Sequence, residues 1–272
     1  YYMIKPKYIR WFKEVDKEDI GIVGGKGANL GEMTKAGFPV PNGFVLTAQA
    51  YFQFLHDSGL ADDLHHILDG LDVSNSAKLE KASKDIAHLI THSRIPLAIA
   101  TEVINAYLSL GNGKNILVAV RSSATAEDLP TASFAGQQAT FLNVLGEANV
   151  LEKVKEAWAS LFTARAIFYR VTNKFDHFKV GIALPVQKMV QSDYSGIMFT
   201  IDPVTNDKSK IVIDTILGLG EMIVQGAVTP DHYKVDKKQH KIIEKEINVQ
   251  EKVMRRDGTK THVVALTKGE GG

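Results

Sequence analysis

Two basic residues, far apart in the chain, sit in settings suited to an anion. The first stands in Ala119-Val120-Arg121-Ser122-Ser123-Ala124-Thr125-Ala126-Glu127-Asp128-Leu129-Pro130, which runs on to Ser133-Phe134-Ala135-Gly136-Gln137-Gln138. The apolar, β-branched run from Ile116 to Val120 has the length of a buried strand. It hands Arg121 to a loop rich in Ser, Thr and Gly, where a planar guanidinium fork and close-approaching backbone N–H groups suit phosphate oxygens. The same pattern also serves an arginine that pairs with a carboxylate at a strand end. The second basic residue is Lys26, surrounded by three glycines in Ile20-Gly21-Ile22-Val23-Gly24-Gly25-Lys26-Gly27-Ala28-Asn29-Leu30-Gly31-Glu32-Met33. A helix is expected to start near Gly27, with Leu30 and Met33 inward, and to end at Gly37 before Pro39 and Pro41. An ammonium beside the orphan N–H groups of a helix start is an anion site by geometry, although a flexible turn with a solvated lysine fits as well. The glycine spacing matches neither a Walker A loop nor a dinucleotide fingerprint.

Both residues need elements to hold them. Phe44 to Leu46 reads as a short strand, and Thr47 as the cap of a helix through Tyr51, Phe52 and Leu55 that stops by Gly59. Leu79, Ala82, Ile86, Leu89 and Ile90 recur at helical spacing, as do Ile99, Val103, Ile104, Tyr107 and Leu108. These helices read as scaffold. His88 and His92, four apart, could face a metal together, but with no third ligand nearby they read as surface residues. Ala139 to Val144 is expected to return as a strand beside the arginine strand. One long helix should follow, with Val150, Leu151, Val154, Trp158, Leu161, Phe162 and Ile167 inward, and Arg165 and Arg170 as structural or rim charges. From Val180 the texture turns to strands: 184–190, 196–201, 211–217, 232–235, 242–247 and 263–266. A boundary near Pro185 divides a mixed subdomain with phosphate-clamping loops, residues 1–185, from a strand-rich subdomain, 186–272.

The totals narrow the field. The 272 residues carry 32 Lys and Arg against 31 Asp and Glu, a net charge of +1, which gives no reason to expect nucleic acid or an anionic membrane. With no cysteine, thiolate catalysis and Cys-ligated metals are excluded. No apolar run approaches the roughly 20 residues that span a bilayer. The first residues lack a secretory-signal layout, so a cytoplasmic protein is expected.

The second half adds weaker motifs. Pro185 to Val190 is an apolar strand whose backbone could meet an adenine edge, with Gln187 and Met189 beside the ring, or it is plain core strand. Asp202, before Pro203, forms a turn or lies near a metal-bound phosphate. Leu217-Gly218-Leu219-Gly220-Glu221, with Val228-Thr229-Pro230-Asp231, is a glycine-rich turn; Glu221 is placed near Mg²⁺ or nucleotide, or is a helix-start Glu favoured by the dipole. The shared theme is a nucleotide–Mg²⁺ site between two subdomains.

At these residues the chain resembles a known family. Val23 to Met33, Val40-Pro41-Asn42-Gly43-Phe44, Val120 to Asp128, Phe134 to Gln138, Ser195-Gly196-Ile197-Met198-Phe199-Thr200, and Gly218 through Asp231 closely resemble the N-terminal nucleotide-binding domain of phosphoenolpyruvate synthases. The wider group includes pyruvate, phosphate dikinase and the rifampicin phosphotransferases; Ile67 to Asp72 and Tyr233 to Asp236 look most like the synthase. The resemblance implies an α+β, ATP-grasp-like fold of two subdomains, truncated at its C-terminal end. It also implies a transferase that, with Mg²⁺, passes the β-phosphoryl of ATP to a histidine on a separate domain. A further domain then converts pyruvate to phosphoenolpyruvate, with AMP and phosphate released. Carried over, Lys26 and Arg121 look like cationic clamps on the phosphates, Gly136 and Thr140 lie on the loop over the triphosphate, Gln187 and Met189 line the adenine side, and Glu221 is near metal or ribose. The family's later strands, with a metal-binding Glu and a Gln-Ala-Arg-Pro run, are not found here, so no metal ligand is assigned and the chain is expected to need its other domains for turnover. The alternatives are the matching domain of a rifampicin-type phosphotransferase or of pyruvate, phosphate dikinase, and a nucleotide-binding module without turnover.

Overall fold

The computed structural model describes residues 7–125, 139–267 and 269. The chain forms two compact units, Tyr1–Met189 and Val190–Gly272. Pro185 lies inside a strand of the first unit, opposite Val45.

The first unit holds strands β1 (Ile9–Trp11), β2 (Gly43–Leu46), β3 (Leu117–Arg121), β4 (Ser123–Ala124), β5 (Thr140–Leu145) and β6 (Ile182–Lys188). Its helices are α1 (Ile20–Lys35), α2 (Ala48–Asp57), α3 (Leu60–Leu68), α4 (Ser76–His92), α5 (Leu97–Leu110), α6 (Glu147–Ala159) and α7 (Ala164–Thr172). The sheet runs β1-β2-β6-β3-β5, antiparallel at every pairing, with β4 joined to β6 beyond the end of β3. The arginine strand and its return pair as the sequence predicts, Arg121 opposite Thr140. Strand β6 is central, and its residues Ile182 to Gln187 are all buried. Side chains alternate across a strand: Leu184 and Val186, with Phe44, Leu46, Val118 and Val120, face a helical core, while Ala183 and Val45 pack with Val23 and Ala28 of α1. Trp158 anchors the helical side, stacked on Phe54 with ring centroids 4.6 Å apart.

The expected long helix is broken. A 3₁₀ turn, Ser160–Phe162, ends α6, and Thr163 restarts the chain as α7, its hydroxyl accepting from the Ala166 N–H at 3.2 Å. Arg170 explains why the break holds. It is fully buried, its Nε–H donates to His177 Nδ1 at 2.8 Å, and an Nη–H donates to the carbonyl of Leu161 inside the turn. Its guanidinium lies 5.2 Å from the Phe162 ring centroid. Burial pulls its pKa down to about 10, and the His177 pKa is pushed to about 4 by burial and the adjacent cation.

The second unit is an antiparallel sheet of β7 (Tyr194–Phe199), β8 (Lys210–Leu217), β9 (Asp231–Asp236) and β10 (Lys241–Glu246), in the order β10-β9-β8-β7. It also contains a short helix, α8 (Glu221–Val224), and a separate hairpin of β11 (Lys252–Asp257) and β12 (Lys260–Ala265). Asp202 is a turn-former: its carboxylate accepts from the N–H groups of Val204 at 2.9 Å and Thr205 at 3.2 Å, and pairs with Lys234 at 3.1 Å. Those donors hold its pKa down at about 2. Among the described residues no helix is long and apolar enough to cross a membrane.

Candidate functional site

Helix α1 starts at Ile20, earlier than its glycines predict, and breaks at Gly24, where φ is +67° and ψ 170°. That backbone region is reserved almost wholly for glycine. A side chain is barred there by space as well, since a Cβ on Gly24 would lie 2.2 Å from Ser123 Oγ and 2.6 Å from the Ser123 carbonyl oxygen. The helix therefore restarts against β4. The Lys26 N–H, one of the donors a restarting helix leaves open, donates to Ser123 Oγ at 3.1 Å. Ser123, fully buried, thus does for this helix what an N-cap side chain does, from a distant strand. The Lys26 ammonium in turn donates to the carbonyl of Ser122 at 3.3 Å. Ser122 follows Arg121 directly, so the Lys26 ammonium reaches the residue next to the other cation predicted to share its ligand. The hydroxyl of Ser122 is buried there with no hydrogen-bond partner among the described residues.

Alternation along β3 and β6 places Arg121 on the same face as Ala119 and Gln187, which are register partners. This is the face on which α1 packs through Val45 and Ala183. Thr140 is the register partner of Arg121. Lys26, Arg121, Thr140 and Gln187 therefore gather on one side of one sheet. Arg121 is exposed, and Lys26 is half-buried. Gln187 is already engaged: its side-chain amide donates to the carbonyl of Pro41 at 3.0 Å. The N–H groups of Lys188 and Met189 are also taken, by the carbonyls of Asn42 at 2.9 Å and Leu117 at 3.0 Å. Glu221 belongs to the second unit, where it opens α8 and accepts from the Gln225 amide at 3.2 Å. Gly136 lies outside the described residues. Reading the sequence singled out Lys26 and Arg121 but missed the parts of Gly24 and Ser123; the traces they left are the Gly-Gly pair before the lysine and the hydroxyl pair after the arginine.

The arrangement places two basic side chains and a threonine on one side of the sheet. It offers no metal cage: among the described residues no three of His, Cys, Asp and Glu gather to hold an ion. His88 and His92, whose ring centroids lie 3.8 Å apart with the rings tilted by 30°, sit on an exposed helix face.

Comparison with known proteins gives this geometry relatives. Over 241 residues the chain is 52% identical to a protein of Methanothermobacter thermautotrophicus named "Probable phosphoenolpyruvate synthase", covering 88% of this chain and 35% of that one. It is 46% identical over 286 residues to the phosphoenolpyruvate synthase of Pyrococcus furiosus, covering 92% and 35%. It is 49% identical over 252 residues to that of Aeropyrum pernix, covering 91% and 31%. The chain spans about a third of the length of these curated relatives. Residues 20–270 match the family described as Pyruvate phosphate dikinase, AMP/ATP-binding domain. That match begins where α1 begins and runs through both units, so the chain belongs to the family of pyruvate phosphate dikinase AMP/ATP-binding domains.

Proposed function

We propose that this chain is the ATP-binding domain of a phosphoenolpyruvate synthase. Its nucleotide would lie with the phosphates on the Lys26–Arg121 surface, and its β-phosphoryl group would pass to a histidine carried by another domain. The observation that supports this most is the short path between the two cations: the Lys26 ammonium rests on the carbonyl that follows Arg121. Phosphoryl transfer asks little covalent chemistry of a protein and much placement and charge neutralisation. In this reading Lys26 and Arg121 neutralise the triphosphate, and Thr140 flanks Arg121. Gln187 and Met189 take the adenine side, as the family resemblance implies. The names of the relatives favour the synthase over a rifampicin-type phosphotransferase. Mg²⁺ is expected with ATP, where phosphate oxygens and water supply most of its ligands and the charge it neutralises adds to that of the two side chains.

Calorimetric titration of the protein with ATP, with and without Mg²⁺, tests the site. Saturable binding that Arg121→Ala weakens at least about tenfold supports it; no binding under either condition sinks it. Incubation with ATP and the separately expressed histidine domain tests the transfer: phosphohistidine supports it, and its absence from a mixture that binds ATP reduces the domain to a nucleotide-binding module.

A further inference from the structure

The first unit carries a hollow that the ATP reading leaves unused. It has a volume of about 410 Å³, within the range of small-molecule pockets, and opens where β1, β2 and β6 end. Its lining includes the aromatic Trp11 and Phe12, the amides of Asn42 and Asn112, and two lysines, Lys13 and Lys188. Gly43 shapes the floor: a Cβ there would come within 2.5 Å of the Phe12 ring, so only a glycine lets that ring seat on the strand. No carboxylate lines the hollow, and among the described residues neither lysine has an ion pair. The nearest acid in sequence, Glu14, is occupied by Lys7 at 2.9 Å and by the Trp11 N–H at 2.8 Å.

This place is separate from the phosphate surface. Thr34, on its border, lies roughly 12 Å along α1 from Lys26. Along β6, Lys188 lies roughly 17 Å from Ala183, the partner of Ser123, and roughly 7 Å from Val186, the partner of Val120. Alternation also turns Lys188 to the face opposite Gln187.

We propose that this hollow binds a small aromatic anion, a ring bearing a carboxylate or a phosphate ester. The ring would lie against Trp11 and Phe12, and the charged group would sit between Lys13 and Lys188, where charge-assisted hydrogen bonds are strongest. The chain has two tryptophans, and Trp158 is fully buried in the helical core, so ligand quenching of tryptophan emission reports on Trp11. Benzoate and phenyl phosphate are the probes, with inorganic phosphate and phenol as the matched halves.

Saturable quenching by benzoate or phenyl phosphate is expected, and the stronger of the two identifies the anionic group. Each half alone should bind at least about tenfold more weakly, and Lys13→Ala with Lys188→Ala should weaken the whole probe by at least about tenfold. Trp11→Phe should remove the signal, and saturating ATP should leave the affinity unchanged. Three outcomes each overturn the proposal: no saturation up to about 10 mM, equal affinity in the folded double-lysine variant, or displacement by ATP. Near-ultraviolet circular dichroism confirms that the variants fold; should the double variant not fold, the single Lys188→Gln variant carries the same comparison.

Discussion

Replacing Gly24 by alanine tests whether the lysine loop is held by Ser123. The backbone at Gly24 sits where any other residue is strained by about 1–3 kcal/mol. The added methyl would also press to 2.6 Å from a backbone oxygen of fully buried Ser123, an overpacking that costs about 1–3 kcal/mol. A loss of about 4 kcal/mol in the first unit follows. Gly21→Ala is the control. It lies in the same helix with nothing within 4 Å of its Cβ and no positive φ, so alanine there should stabilise by about 0.5–1 kcal/mol. Urea unfolding followed by tryptophan emission reads the first unit directly, since both tryptophans lie in it. ATP titration of the folded Gly24→Ala variant should show binding weakened at least about tenfold, because relief of the clash moves Lys26 away from Ser122. If the two alanine variants unfold within 1 kcal/mol of each other and bind ATP alike, the interlock between Gly24 and Ser123 is not what positions the lysine.

Further expectations concern single side chains. Arg121→Ala should weaken ATP binding by about 1.5–3 kcal/mol while shifting stability by less than about 0.5 kcal/mol, since the guanidinium is exposed; calorimetry beside urea unfolding separates the two, and a large stability loss would mark it as structural. Lys26→Ala should mainly slow transfer to the histidine domain, and an unchanged single-turnover rate in the full-length enzyme would leave the lysine a mere helix-start residue. Arg170→Ala should cost about 3 kcal/mol or more, because a buried side chain is lost and the Leu161 carbonyl and His177 are left without their donor. His177 also makes stability depend on pH. Its folded pKa of about 4 lies below the ordinary histidine value of 6.5, so between them the unfolded chain binds the extra proton and stability falls as pH drops. Urea unfolding at pH 7 and pH 4.5 should differ by about 2 kcal/mol in the first unit, and His177→Gln should flatten that difference.

Periodicity made much of the scaffold legible. The run to Arg121, the return strand through Thr140 and the helices around Ile86 and Val103 stand where alternation and helical spacing put them. What it did not reveal depends on partners distant in sequence. Ser160, Leu161 and Phe162 suit a continuing helix, and only buried Arg170, reaching back to the Leu161 carbonyl, shows why the chain turns there. Strand β11 escaped notice because Lys252, Met254, Arg255, Arg256 and Asp257 give no apolar alternation; Val253 alone of that strand is deeply buried. Gly24 was visible as a glycine, but its need for an unusual backbone comes from Ser123. The basic pair at the candidate site could be read from residue type, whereas Gln187 gave no sign that its amide is bonded to Pro41.

The bond from the Lys26 amide to Ser123 spans 97 positions. Closing so long a stretch carries a conformational entropy cost that only the packed sheet offsets. During synthesis the glycine segment has no means of taking its final shape until β4 has emerged, so the cradle is completed late and all at once rather than from its own local sequence. Exchange of the Lys26 amide with deuterium should then follow global opening of the first unit, and not the fraying of a helix end.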